Sequence, residues 1–148
     1  MTPPNDAAPA PAAAAAARSA PEGRRIAVID VGSNSVRLVV FAALSRSPAH
    51  FFNEKVLAGL GAEIAETGRL APEGRRRALA ALARFAKLVE LMRVDDVVAV
   101  ATAAVREAED GPEFVAEVRR ATGLSLAVAS GGDEARLAAQ GPLDALVE

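Results

Sequence analysis

Cysteine is absent from all 148 residues, and histidine occurs once, at His50. The first absence removes disulfides, thiolate catalysis and sulfur-ligated metal sites. The second excludes a metal centre built from several imidazoles. It also leaves a Ser-His-Asp hydrolase without support, because His50 precedes Phe51-Phe52 in a turn-like setting that suits a solvated histidine. No apolar run approaches the roughly 20 residues of a membrane span. Neither charge is in large excess: 17 Lys and Arg against 19 Asp and Glu give a net charge of −2. That balance offers no electrostatic case for nucleic acid, yet a local cluster on a near-neutral protein can still hold an anion. Lysine is scarce, with only Lys55 and Lys87 among the basic residues. The bias toward Arg suits bidentate phosphate contacts but runs through the whole chain and assigns no site. The start lacks the basic residues and Leu-rich middle of a signal peptide, so the cytoplasm is the expected location.

The length suits one domain with a core rather than two. Residues 1–24 are rich in Pro and Ala and poor in large apolar side chains, which predicts a disordered extension, with residues 25–148 as the folded unit. That unit opens with Ile26-Ala-Val-Ile29, short and β-branched, a buried strand. From Val36 to Leu44 the apolar positions alternate, as in a second strand, and Phe51 to Leu57 predicts a third. Pro72 leads the longest helix, in which Ala78, Leu82, Phe85, Val89 and Met92 form an apolar stripe widened by Leu79 and Ala86. Arg77, Arg84, Lys87 and Glu90 fall on its solvated side. Val97 to Ala101 is another buried strand, after which Thr102 is placed to cap a short helix. A helix beginning at Asp110-Gly111-Pro112 and stopped by Gly123 follows. Leu124 to Val128 predicts a fifth strand, and Ser130-Gly131-Gly132-Asp133 the opening of a last helix.

Between the first two strands lies Asp30-Val31-Gly32-Ser33-Asn34-Ser35. Gly32 admits close backbone approach, successive N–H groups in such a turn form an anion-binding concavity, and Ser33, Asn34 and Ser35 add side-chain donors. A carboxylate beside a phosphate repels it unless a cation intervenes, so Asp30 points to Mg²⁺ held partly through water. The same residue types also make an ordinary hairpin tip.

The run Asp30-Val-Gly-Ser-Asn-Ser-Val-Arg37, directly after a strand, resembles the first phosphate loop of the exopolyphosphatase and guanosine pentaphosphate phosphohydrolase (Ppx/GppA) family. Ser130-Gly-Gly-Asp-Glu-Ala-Arg-Leu137 is similar to that family's Ser-Gly-x-x-Glu-Ala-Arg segment, and Thr102-Ala-Ala-Val-Arg106 to its Thr-x-x-x-Arg. The resemblance runs from about Ile26 to Leu137. It implies an α/β, actin-like ATPase (ribonuclease H-like) half-domain, a mixed sheet in the order β-β-β-α-β-α-β-α. By the same resemblance Gly32, Ser33, Asn34, Ser35 and Arg106 bind phosphate, Asp30 helps hold Mg²⁺ or another hard divalent cation, and Glu134 is the catalytic carboxylate that directs water. The implied substrates are polyphosphate or guanosine pentaphosphate, acted on by a full-length homodimer with no nucleic-acid or membrane partner.

Simpler readings stand beside each residue. Ser130 and Asp133 make a capping box that leaves Glu134 as a first-turn acid. Arg106 reads equally as a helix arginine paired with a neighbouring acid, and Arg37, two residues beyond the loop, equally as a structural partner of an acid. Many family members carry a second loop, Asp-x-Gly-Gly-Gly-Ser, which this sequence lacks. It is therefore expected to be a fragment, a truncated product or a piece that needs a partner, with little activity alone. A kinase of the same fold and a non-enzymatic binding half-domain are the alternative functions.

Overall fold

The computed structural model describes residues 23–43 and 49–132. Strands β1 (Arg24–Val31), β2 (Ser35–Ala43) and β3 (Ala49–Leu57) come first, then helix α1 (Ile64–Thr67) and the long α2 (Pro72–Leu91). Strand β4 (Asp96–Ala101), helices α3 (Ala103–Glu107) and α4 (Gly111–Thr122), and strand β5 (Leu126–Val128) complete the described residues. The strands form one sheet in the order β3-β2-β1-β4-β5. β1–β2 and β2–β3 pair antiparallel, while β1–β4 and β4–β5 pair parallel. This is the mixed sheet expected from the hairpin-then-crossover pattern. The extension expected over residues 1–24 lies outside the described residues up to Glu22, and Arg24 already belongs to β1, paired with Ala43.

Alternation explains which face of the sheet is covered. Ala27, Ile29 and Val31 of β1 and Val36, Leu38, Val40 and Ala42 of β2 are fully buried. They meet Ala78, Leu82, Phe85 and Met92 from the α2 region and Phe114 and Val118 of α4. The opposite face carries Ile26, Val28, Val39, Phe41, Val98 and Val100, which remain half-buried outside that core. The buried stripe of α2 also takes in Ala81 and Leu88, while Leu79 and Ala86 are half-buried, so the helix is rolled slightly from the expected orientation. No helix among the described residues is long and apolar enough to cross a membrane.

One capping expectation is corrected. Thr102 makes no side-chain cap on α3; its hydroxyl lies 3.5 Å from the Val31 carbonyl and its N–H donates to that oxygen at 3.0 Å. Asp110, at the start of α4, makes no side-chain cap either. Its buried carboxylate reaches across to α2, accepting the Leu70 N–H at 2.9 Å and Arg75 Nη1 at 3.2 Å. Arg75 also binds Glu117 and, at 3.3 Å, Glu113. Burial pushes the Asp110 carboxyl up, but the Leu70 N–H, its own backbone N–H and the Arg69 and Arg75 charges outweigh that and leave it below its ordinary value. For Arg75, burial lowers the guanidinium and the Glu117 hydrogen bond with the Glu117, Glu113 and Asp110 charges more than restores it.

Helix α2 begins unusually close to other backbone. A Cβ placed on Gly74 would lie 2.5 Å from the Gly59 carbonyl oxygen and 2.9 Å from the Leu60 nitrogen. Only glycine fits there, which accounts for a residue of low helix propensity in the first turn of an Ala- and Arg-rich helix. The Ala71 N–H donates to the Leu60 carbonyl at 3.1 Å and ties the same two segments.

Candidate functional site

Strand register assembles the site. Val31 pairs with Ala101, and Ala101 with Val128, so three parallel strands finish in one row. Adjacent strands lie about 4.8 Å apart, so Gly32, Thr102 and Ala129 leave the sheet side by side. Ligands of α/β sheets gather outside such carboxyl ends.

The first of these exits is the β1–β2 turn. The Gly32 N–H donates to the Ser35 carbonyl at 2.9 Å, and the Ser33 and Asn34 side chains are exposed at the tip. The turn's carbonyls are engaged from one side. Asn34 O accepts the Ala58 N–H at 2.9 Å and the Gly59 N–H at 3.0 Å, and Ser33 O accepts the Gly61 N–H at 3.0 Å. In a planar trans peptide the C=O and the following N–H point in opposite directions. Binding the Ser33 and Asn34 carbonyls to this strap therefore turns the Asn34 and Ser35 N–H groups away from it. That is the disposition an anion-binding turn requires.

The second exit leads to α3. Gly61 lies between the turn and this helix: a Cβ on it would be 3.1 Å from Ser33 Cβ and 3.5 Å from Ala104 Cβ. Two residues on, Arg106 is partly buried and donates from Nη1 to the Ala129 carbonyl at 2.9 Å, with Glu107 at 3.8 Å from Nη2. The guanidinium thus joins α3 to the third exit, where Ala129 N–H also binds Ala101 O at 2.9 Å. Ser130 is exposed there, and Gly131 and Gly132 have helical backbone geometry. Glu134, the expected water-directing carboxylate, lies outside the described residues.

Asp30 is exposed at the end of β1, on the sheet face away from the core, in register with Arg37 and Val100. Arg37 in turn pairs with Lys55. Among the described residues no group of three or more His, Cys, Asp or Glu is placed to hold a metal ion. One exposed carboxylate beside a turn of this geometry is a donor set that fits a hard cation which keeps waters among its other ligands, the usual habit of Mg²⁺.

Register and turn geometry bring Asp30, Gly32, Ser33, Asn34, Ser35 and Arg106 to one end of the sheet. The strap Gly59-Leu60-Gly61 and its support at Gly74 do not emerge from the sequence as site elements. Their signal is the pair of glycines flanking a fully buried Leu60, followed by a third glycine inside a helix.

Known proteins match this arrangement. Exopolyphosphatase 1 of Mycobacterium tuberculosis is 33% identical over 114 residues, covering 76% of this chain and 33% of that protein. Exopolyphosphatase 2 of the same organism is 34% identical over 131 residues, covering 82% and 41%. The crystal structure of the Aquifex aeolicus Ppx/GppA family member superposes with a TM-score of 0.75 at 34% identity, covering 78% of this chain and 38% of that one. The chain therefore spans roughly a third to two-fifths of the length of these relatives. A sequence profile of the Ppx/GppA phosphatase family matches residues 39–147. With the mixed sheet and its strand-end row, that match identifies the chain as a member of the Ppx/GppA phosphatase family.

Proposed function

We propose that these residues form the phosphate-binding part of a hydrolase that releases terminal phosphate from polyphosphate or guanosine pentaphosphate. The observation that supports this most is the row Val31–Ala101–Val128, because it sends the first two sequence motifs and the first described residues of the third out of the sheet at one end. In this reading the N–H groups and hydroxyls of Gly32 to Ser35 receive the terminal phosphate. Arg106 contributes positive charge from α3, and its bond to the Ala129 carbonyl holds it beside the end of β5. Glu134 accepts a hydrogen bond from a water and aligns it with the scissile P–O bond. As the water oxygen bonds to phosphorus the bridging oxygen departs, and the water proton passes to the carboxylate. Asp30 would hold Mg²⁺, which when bound offsets charge on the phosphate oxygens.

Polyphosphate is favoured by the names of the related proteins, which are exopolyphosphatases. Guanosine pentaphosphate presents the same terminal anhydride to the turn. The activity belongs to the polypeptide that carries these residues at its relatives' length, since stabilising a transferring phosphoryl group needs donors on both of its sides. In that polypeptide, Glu134→Gln should lower phosphate release from either substrate by at least about 100-fold, the low end for loss of a general base. Substrate binding should persist. Release at the unsubstituted rate removes Glu134 from the mechanism.

A further inference from the structure

We infer that the strap Gly59-Leu60-Gly61 is the positioning element of the phosphate turn, with Gly61 and Gly74 as the residues that set its distance. This rests on reading Gly32 to Ser35 as a phosphate site. Three layers are in direct backbone contact. The outer layer is the first turn of α2, where the Gly74 Cα approaches the strap so closely that a Cβ would meet the Gly59 carbonyl oxygen at 2.5 Å and carbonyl carbon at 2.8 Å. Both are backbone atoms, so no change of rotamer relieves the clash. The middle layer is the strap, held to α2 by the Ala71–Leu60 hydrogen bond and anchored by the fully buried Leu60 side chain. The inner layer is the turn, whose Ser33 and Asn34 carbonyls take three N–H groups from residues 58, 59 and 61.

The layers act on the feature that matters for an anion. The direction of the Asn34 and Ser35 N–H groups follows from where the preceding carbonyls are held, so moving the strap rotates those donors. Gly61 has a second task. It is the spacer between the turn and α3, and a Cβ there would sit 3.4 Å from Ser33 Oγ as well as against Ala104. A methyl group at this point wedges the turn away from the helix that carries Arg106. Gly61 and Gly74 are positioning residues in this scheme: neither touches phosphate, and both act through the peptide planes of the turn.

The test uses the 148-residue chain and the amide resonances of residues 32–35, observed by NMR without ligand and during titration with tripolyphosphate and Mg²⁺. Gly61→Ala and Gly74→Ala should shift those resonances in the ligand-free protein and weaken tripolyphosphate binding at least about tenfold, well within the loss a misplacement on the order of 1 Å can cause. Val118→Ala supplies the comparison, because Val118 is buried in α4 and is not among the residues whose hydrogen bonds or close contacts hold the strap. It should lower the melting temperature while leaving the turn resonances and the affinity unchanged. Unmoved turn resonances in Gly61→Ala, or an affinity loss no greater than that of Val118→Ala, overturn the positioning role. If Gly74→Ala does not fold, the milder Gly61→Ala decides alone. Failure of the wild-type turn resonances to respond to tripolyphosphate defeats the phosphate-site reading instead, and the ligand-free spectra still decide whether the strap sets the turn.

Discussion

Replacing Asp110 by alanine removes the one buried carboxylate that links α4 to the start of α2. The structure separates its two bonds. The Leu70 N–H is buried, and its acceptor in this fold is Asp110 Oδ1 at 2.9 Å. Stranding it costs about 1.5–3 kcal/mol, the range for a hydrogen bond to a charged group. Arg75 keeps Glu117 and Glu113, so the larger penalty for an orphaned buried charge does not apply. Asp110→Ala should therefore lose about 2–3 kcal/mol in urea denaturation at pH 7. Asp110→Asn, which retains an acceptor for Leu70 but no charge, should lose roughly half as much. Titration supplies a second signature. The folded-state pKa of Asp110 lies below its ordinary value, so its contribution is fully present above the unfolded pKa of about 3.9 and is lost as pH falls through the lower folded value. The stability difference between the wild type and Asp110→Asn should be flat above about pH 5 and shrink below about pH 4. Equal stability of the alanine and asparagine variants, or a difference that grows in acid, refutes the assignment.

Two further outcomes follow from the packing. Phe85→Ala empties the centre of the α2–sheet contact, where Phe85 is fully buried, and should cost about 3–5 kcal/mol by chemical denaturation; a loss under about 1 kcal/mol would place the core elsewhere. Arg84→Ala breaks a two-point contact with Glu54 at 2.9 and 3.1 Å, but Arg84 is 44% exposed. The same assay should register about 0–1 kcal/mol, diminishing further in high salt.

Periodicity made the frame legible. The short β-branched apolar runs, the alternation in β2 and the long stripe of α2 placed every strand and the main helices to within a few residues, because burial dictates where apolar residues recur. The spelling of three short motifs named the candidate site residues, and register brings the described ones to a common end of the sheet. What stayed hidden depends on contacts distant in sequence. Thr102 and Asp110 carry the residue types of helix caps, yet their side chains are directed to Val31 and Leu70, partners 71 and 40 positions away. No local rule distinguishes a capping aspartate from one that crosses between helices. The short α1 was hidden for the opposite reason: Ile64 to Thr67 is a single turn with no buried residue to mark it.

The strap adds a different kind of illegibility, since its specificity lies in atoms that every residue possesses. Asn34 and Ser33 are held through their carbonyls and the strap through its N–H groups, so side-chain identity matters mainly where a Cβ has no room, at Gly61 and Gly74. On the proposed phosphate reading, a turn fixed in this way has its donors oriented before any ligand arrives, and preorganised dipoles stabilise charge without the cost of reordering. Rigidity also has a known origin here. Asp110 holds Leu70, Leu70 precedes Ala71, Ala71 holds Leu60, and the strap containing Leu60 holds the turn. The buried Asp110 carboxylate is thus connected to the Ser33 and Asn34 carbonyls of the turn through its side-chain bond to the Leu70 N–H, the Leu70–Ala71 peptide and the backbone hydrogen bonds of the strap.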